Sequence, residues 1–124
     1  MLSSSDLVAF VPSADPEASR QFYEGVLGLR FLGDDRAALL FDANGTVVRI
    51  VGVDEVAPQP YTILGWEVED IAAIVGDLAA RGVEFQDFDF LDDDNPPVWA
   101  SPDGSQVAWF RDPDGNMLSV FQSS

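Results

Sequence analysis

The chain has no cysteine, no histidine and no lysine. Without cysteine there is no disulfide framework, no thiolate metal site and no thiol nucleophile. Without histidine it lacks the commonest metal ligand and the usual general base near neutral pH. All 6 basic residues are arginines, set against 22 acidic ones, for a net charge of −16. A field of that sign repels phosphate backbones and anionic membranes, so neither nucleic acid nor membrane is an expected partner. It would favour cationic ligands, although plain solubility accounts for the same charge. No apolar run approaches the roughly 20 residues of a membrane-spanning helix. No basic residue precedes Arg20 and no signal-peptide pattern follows Met1, so the expected location is cytoplasmic. The 124 residues, 47% of them hydrophobic, are enough for one compact unit, which two similar halves could share.

Against these absences stands one well-formed stretch, Arg111 to Gln122. Asp112-Pro113-Asp114-Gly115-Asn116 is a tight turn: Pro113 presets φ, Asp114 tolerates the bend and Gly115 supplies a positive φ. Met117 to Phe121 then reads as a strand with Ser119 at its middle. A weaker copy, Asp42-Ala43-Asn44-Gly45 followed by the strand Thr46 to Val53, lies 70 positions upstream. A second echo joins Val8 to Val11 and Asp15-Pro16 with Thr62 to Val68 and Asp70-Ile71, 55 positions later. A unit that occurs twice in one order is an internal duplication.

The chain in order supports that reading. Residues 1 to 6 form a polar lead-in and Leu7 to Val11 a strand. Asp15 caps a helix that has Pro16 at its first position and runs to Gly28, with Ala18, Phe22 and Val26 on one apolar face beside Tyr23 and Leu27. Strands follow at Leu29 to Leu32, Ala37 to Phe41 and Thr46 to Val53, then a Pro-containing linker over 54–60. In the second half, Tyr61 to Val68 is a strand. Asp70 caps a helix with Ile71, Ile74, Val75 and Leu78 on one face, ended by Gly82. Val83 to Gln86 is a strand, 87–97 holds five Asp and two Pro and reads as a solvated loop, and Val98 to Ser101 is a short strand. Ser105 to Arg111 and Met117 to Gln122 close the sheet. Each half is thus βαβββ, in repeats spanning about 6–53 and 61–123 of a single domain.

This pattern resembles the vicinal oxygen chelate superfamily, which includes glyoxalase I, extradiol dioxygenases, fosfomycin-resistance enzymes and bleomycin-resistance proteins. The resemblance rests on Asp15 with Phe22-Tyr23 and Leu27-Gly28-Leu29, on Val68-Glu69-Asp70-Ile71 with Arg81-Gly82-Val83-Glu84-Phe85, and on Asp112 to Asn116. It implies an α+β fold in which two tandem βαβββ modules form a curved mixed sheet around a cleft, with helices on the outer face. In metal-dependent relatives, the first and last strands of each half supply the ligands. Carried over by distance from the two capping aspartates and the two turns, those positions are Val8, Arg49, Ile63 and Ser119. Val and Ile offer no donor, Arg is a permanent cation and Ser is a poor lone ligand. No metal and no other cofactor is therefore expected. An oxygen site built from Asp92, Asp93 and Asp94 is the alternative, beside the simpler reading of those residues as a solvated loop.

Strand alternation places the i±2 neighbours of these positions on the same face. The expected ligand-binding set is Phe10, Arg49, Tyr61, Glu67, Met117, Ser119 and Phe121, with Trp99 as a lid or rim; Pro12, Val47, Val51 and Gly65 share that parity. Val48, Ile50, Leu64, Trp66, Leu118 and Val120 should pack on the helices. Such a face, mostly apolar with few polar anchors, suits a small organic molecule. Arg49, mid-strand among Val and Ile, needs a partner: either Glu67 or an anionic group on a ligand. Two functions follow. One is a non-catalytic protein that sequesters a small molecule, as in the bleomycin-resistance branch. The other is a metal-independent lyase- or isomerase-type enzyme with Glu67 or Tyr61 as acid or base. A homodimer is expected, since family members commonly pair to complete such clefts.

Overall fold

The computed structural model describes residues 1–86 and 97–124. They form two compact units, Met1–Ala57 and Pro58–Ser124. Each is a mixed four-stranded sheet with helical structure on one side, so the α+β class and the two-module plan hold.

In the first module, β1 (Val8–Ser13) leads into α1 (Pro16–Arg20), followed by β2 (Arg30–Asp34), β3 (Ala38–Ala43) and β4 (Thr46–Gly52). The strand order is β1-β4-β3-β2, with β1 parallel to β4 and the other pairs antiparallel. Asp15 caps α1 by accepting the Ala18 N–H at 3.3 Å. A single helix to Gly28 was expected, but after Arg20 the chain widens into a π-helix, Gln21–Val26. Leu27 N–H reaches back five residues to the Phe22 carbonyl at 2.9 Å. The wider turn shifts the buried face from Ala18, Phe22 and Val26 to Ser19 and Tyr23. Tyr23 is fully buried, with Phe41 6.0 Å away between ring centroids. Ser19 and Ser13, both buried, share one hydrogen bond at 2.7 Å.

In the second module, β5 (Leu64–Glu67), α2 (Ile71–Ala80), β6 (Trp99–Ala100), β7 (Gln106–Arg111) and β8 (Met117–Gln122) assemble in the order β5-β8-β7-β6. Asp70 caps α2 through the Ala73 N–H at 3.2 Å, and the Gln122 side-chain carbonyl takes the Ile71 N–H at 2.8 Å. Ile71, Val75 and Leu78 are buried, as are Ala108, Phe110, Leu118 and Val120 in the sheet. Two corrections apply. The strand expected at Val83 to Gln86 is reduced to one isolated bridge, Phe85 to Phe110, with Gln86 N–H on the Trp109 carbonyl at 2.7 Å. Phe85 and the two residues of β6 thus share the outer side of β7, at its two ends. The strand expected from Tyr61 begins only at Leu64, although Ile63 still donates to Met117 at 2.9 Å. Pro58 and Pro60 carry no N–H for a ladder, and Arg111 instead holds this approach through the Gln59 carbonyl at 3.4 Å.

Candidate functional site

In each sheet the residues on one face pack toward the module's own helix and the alternate residues face the other way. In β1, Val11 and Ser13 are buried while Val8 and Phe10 are exposed; in β4, Val48 and Ile50 are buried and Val47, Arg49 and Val51 half-buried. The expected parity therefore holds for these two strands. Phe10, Arg49 and Leu40 lie side by side across β1, β4 and β3. Phe10 is 65% exposed, and its ring centroid lies 5.9 Å from the Arg49 guanidinium carbon.

The expected Arg49 partner was Glu67 or a ligand anion. The structure supplies Asp35 instead: Arg49 Nη2 donates to its Oδ2 at 2.6 Å, with 27% and 37% of the two side chains exposed. Asp35 sits in the turn after β2, where its other oxygen accepts the Ala37 and Ala38 N–H groups at 3.2 and 2.9 Å. The Arg49 hydrogen bond, helped by those backbone donors, holds the Asp35 carboxyl below its ordinary value of 3.8. A carboxyl depressed in this way adds stability above that ordinary value, and the contribution is lost as pH falls through the lowered one. Because the pair is partly solvated, the large penalty for orphaning a buried charge does not apply to it. Asp35 escaped the sequence reading because its role depends on the β2–β3 turn folding back over a strand 14 positions later.

In the second module, Gly65, Ser119 and Trp109 form one row across β5, β8 and β7. Glu67, Phe121, Val107 and Trp99 form the next row. All seven share the face turned away from α2's apolar stripe. Ser119 is only 8% exposed, and Met117 on the same face only 2%. A Cβ on residue 65 would come within 3.0 Å of the Ser119 Oγ, so Gly65 leaves the space this hydroxyl occupies. The Trp99 and Trp109 rings lie 6.2 Å apart at 37°. Trp109 was missed from sequence; its alternation with the buried Ala108 and Phe110 is the signal that could have found it. Trp99, Met117, Ser119, Phe121 and Glu67 thus share one face, as expected. Tyr61 does not join them by strand parity, because it precedes β5 and is 59% exposed.

The four positions carried over as metal-ligand equivalents hold an exposed valine, an arginine bonded to a carboxylate, a half-buried isoleucine and a buried serine. This donor set does not fit a divalent cation. Among the described residues no three acidic side chains converge as a metal site. Asp92, Asp93 and Asp94 lie outside the described residues. A cavity of about 450 Å³ opens on the helix side of the second sheet, lined by Ile71, Val75, Gly76, Val98, Gln106 and Gln122 among others. None of the residues expected at the site borders it. No helix of the described residues is long and apolar enough to cross a membrane.

Residues 6–120 match the Glyoxalase/Bleomycin resistance protein/Dioxygenase superfamily, and the chain belongs to that superfamily. It is 30% identical to YraH of Bacillus subtilis (strain 168), an uncharacterized protein, over 87% of this chain and 90% of that one. Among solved structures it is similar to TnmS3, an antibiotic binding protein from Streptomyces sp. CB03234. That likeness has 27% identity and a TM-score of 0.73, over 100% of this chain and 99% of the other. A superfamily member from Sphaerobacter thermophilus DSM 20745 has the same fold, with a TM-score of 0.78 at 24% identity over 99% and 100% of the two chains.

Proposed function

We propose that this chain is a metal-independent binding protein that sequesters a small organic molecule. The observation that carries the reading is the open face of the second sheet, where Trp99, Trp109, Phe121 and Met117 surround one buried hydroxyl, Ser119. Large rigid aromatic surfaces with one or two polar anchors are how proteins hold drug-sized ligands. The likeness to an antibiotic binding protein supports binding without turnover. Nothing favours the catalytic alternative: Glu67 and Tyr61 are both exposed, and Tyr61 stands off the strand. Among the described residues neither is held by an orienting hydrogen bond of the kind an acid–base catalyst needs.

Native mass spectrometry of the protein as purified tests both the ligand and the subunit count. A retained molecule of drug-like mass on a dimer is expected. What supports the dimer is that β1 and β5 each lie at a sheet edge and that Leu7, Val8 and Phe10, at and just before the first of them, are exposed. A bare monomer at micromolar concentration would count against the reading. Zinc, nickel, manganese or ferrous ion should leave the thermal midpoint within about 1 °C, since only binding to the folded state raises it. A saturable metal stabilisation lost in Ser119→Ala would overturn metal independence.

A further inference from the structure

Arg49 has five N–H donors, of which one is engaged by Asp35 among the described residues. The β2–β3 turn sets one carboxylate, that of Asp35, against it, while Asp34 and Arg36 line a small cavity on the helix side with Pro16, Leu39 and Ile50. With Arg49 this makes one anion against one cation, so this part of the first module's open face carries no net positive charge. An incoming carboxylate or phosphate would meet the Asp35 carboxylate as closely as the guanidinium it seeks. A neutral carbonyl oxygen meets no such opposition and can use the remaining donors, while the exposed Phe10 ring beside Arg49 offers a flat apolar surface.

We propose that Asp35 is a specificity-determining residue: by occupying the Arg49 guanidinium, it makes this face reject anionic ligands and accept uncharged or cationic ones with an aromatic or apolar body. The inference rests on the reading that this chain binds a small organic molecule, carries it to the open face of the first module, and names the class of molecule that face would take. Selectivity arises from repulsion built against the wrong ligand as much as from attraction to the right one. Asp35 is well placed for this because the Ala37 and Ala38 N–H groups fix its carboxylate independently of any ligand.

Three probes of nearly one shape separate charge from fit: benzoate, benzamide and benzamidinium. Each is titrated into ¹⁵N-labelled protein at physiological salt, following the Arg49 side-chain Nε–H and the Phe10 and Leu40 amides. Benzamide and benzamidinium should bind about tenfold or more tightly than benzoate. Asp35→Asn keeps an oxygen for the two backbone donors but frees the guanidinium, and should bring benzoate to within about threefold of benzamide. Asp77→Asn removes one charge from the exposed side of α2 and should leave the wild-type order unchanged. Equal affinity of the wild type for benzoate and benzamide would overturn the role of Asp35 while leaving small-molecule binding intact. So would an Asp77→Asn variant that relaxes the order as much as Asp35→Asn does, since total charge would then govern selectivity. If none of the three probes moves these signals saturably, the face is not a ligand site and the inference falls with it.

Discussion

Asp112→Ala is expected to cost about 3 kcal/mol of folding stability, a fall of roughly 10 °C in thermal midpoint for a chain this size. Asp112 is buried and its carboxylate accepts three hydrogen bonds, from the Asp114 N–H, the Asn116 N–H and the Asn116 side-chain amide, each at 2.9 Å. Removing it strips those bonds and leaves the amide of Asn116, itself buried, without this acceptor. The cost of taking an acceptor from buried donors adds to the loss of charge-assisted bonds. The turn in the first module is the internal control. Asp42 accepts one bond, from Gly45 N–H at 2.9 Å, at an exposed site. Asp42→Ala should therefore cost less than about 1 kcal/mol. Parallel thermal and urea denaturation of the two variants measures the difference. Equal destabilisation would mean that both turns matter only for chain reversal and that the buried network contributes nothing. Asp112→Asn, which keeps an acceptor, should recover part of the loss.

That contrast shows what a sequence can and cannot reveal about a duplicated motif. The two turns were legible because Gly115 and Gly45 occupy positive φ, 87° and 97°, where other residues are strained. The two helix starts were legible because Asp15 and Asp70 act through their own next turn. In both cases sequence neighbours decide the outcome. The energetic difference between the turns was not legible, because it depends on which copy is buried. The same limit hid the Asp35–Arg49 pair, which joins residues on different elements. Strand parity at Phe10, Arg49 and Ser119 was readable, since alternation follows from the backbone alone. Parity fails where the strand itself stops, as it does before Leu64 at Tyr61. The π-helix was not readable either. Its apolar residues fit a regular α-helical stripe equally well, and only the burial of Tyr23 against Phe41 decides between the two windings.

Trp109→Ala should weaken small-molecule binding by about 2 kcal/mol, roughly 30-fold, while leaving the fold intact. Trp109 is half-buried on the open face, directly across from Ser119 and in ring contact with Trp99. Its strand neighbours Ala108 and Phe110 are fully buried on the opposite face, so truncation at 109 opens no hole in the core. Beyond its contact with Trp99, a large aromatic in such a position presents its remaining area to a ligand, which is the profile of a binding hot spot. N-phenyl-1-naphthylamine is a suitable probe, being uncharged, apolar and bright only out of water. Energy transfer from tryptophan to the bound probe should be strong in the wild type. Trp109→Phe keeps a ring and should retain most of the affinity. Trp66 has the opposite parity on β5, so Trp66→Phe should leave the dissociation constant within about twofold, though total emission falls. Circular dichroism of each variant confirms that the sheet persists. If Trp109→Ala binds the probe within twofold of wild type while Trp66→Phe weakens it, the ligand sits on the helix side of the sheet. The cavity bordered by Val75, Gly76 and Gln106 would then replace the aromatic face as the binding site.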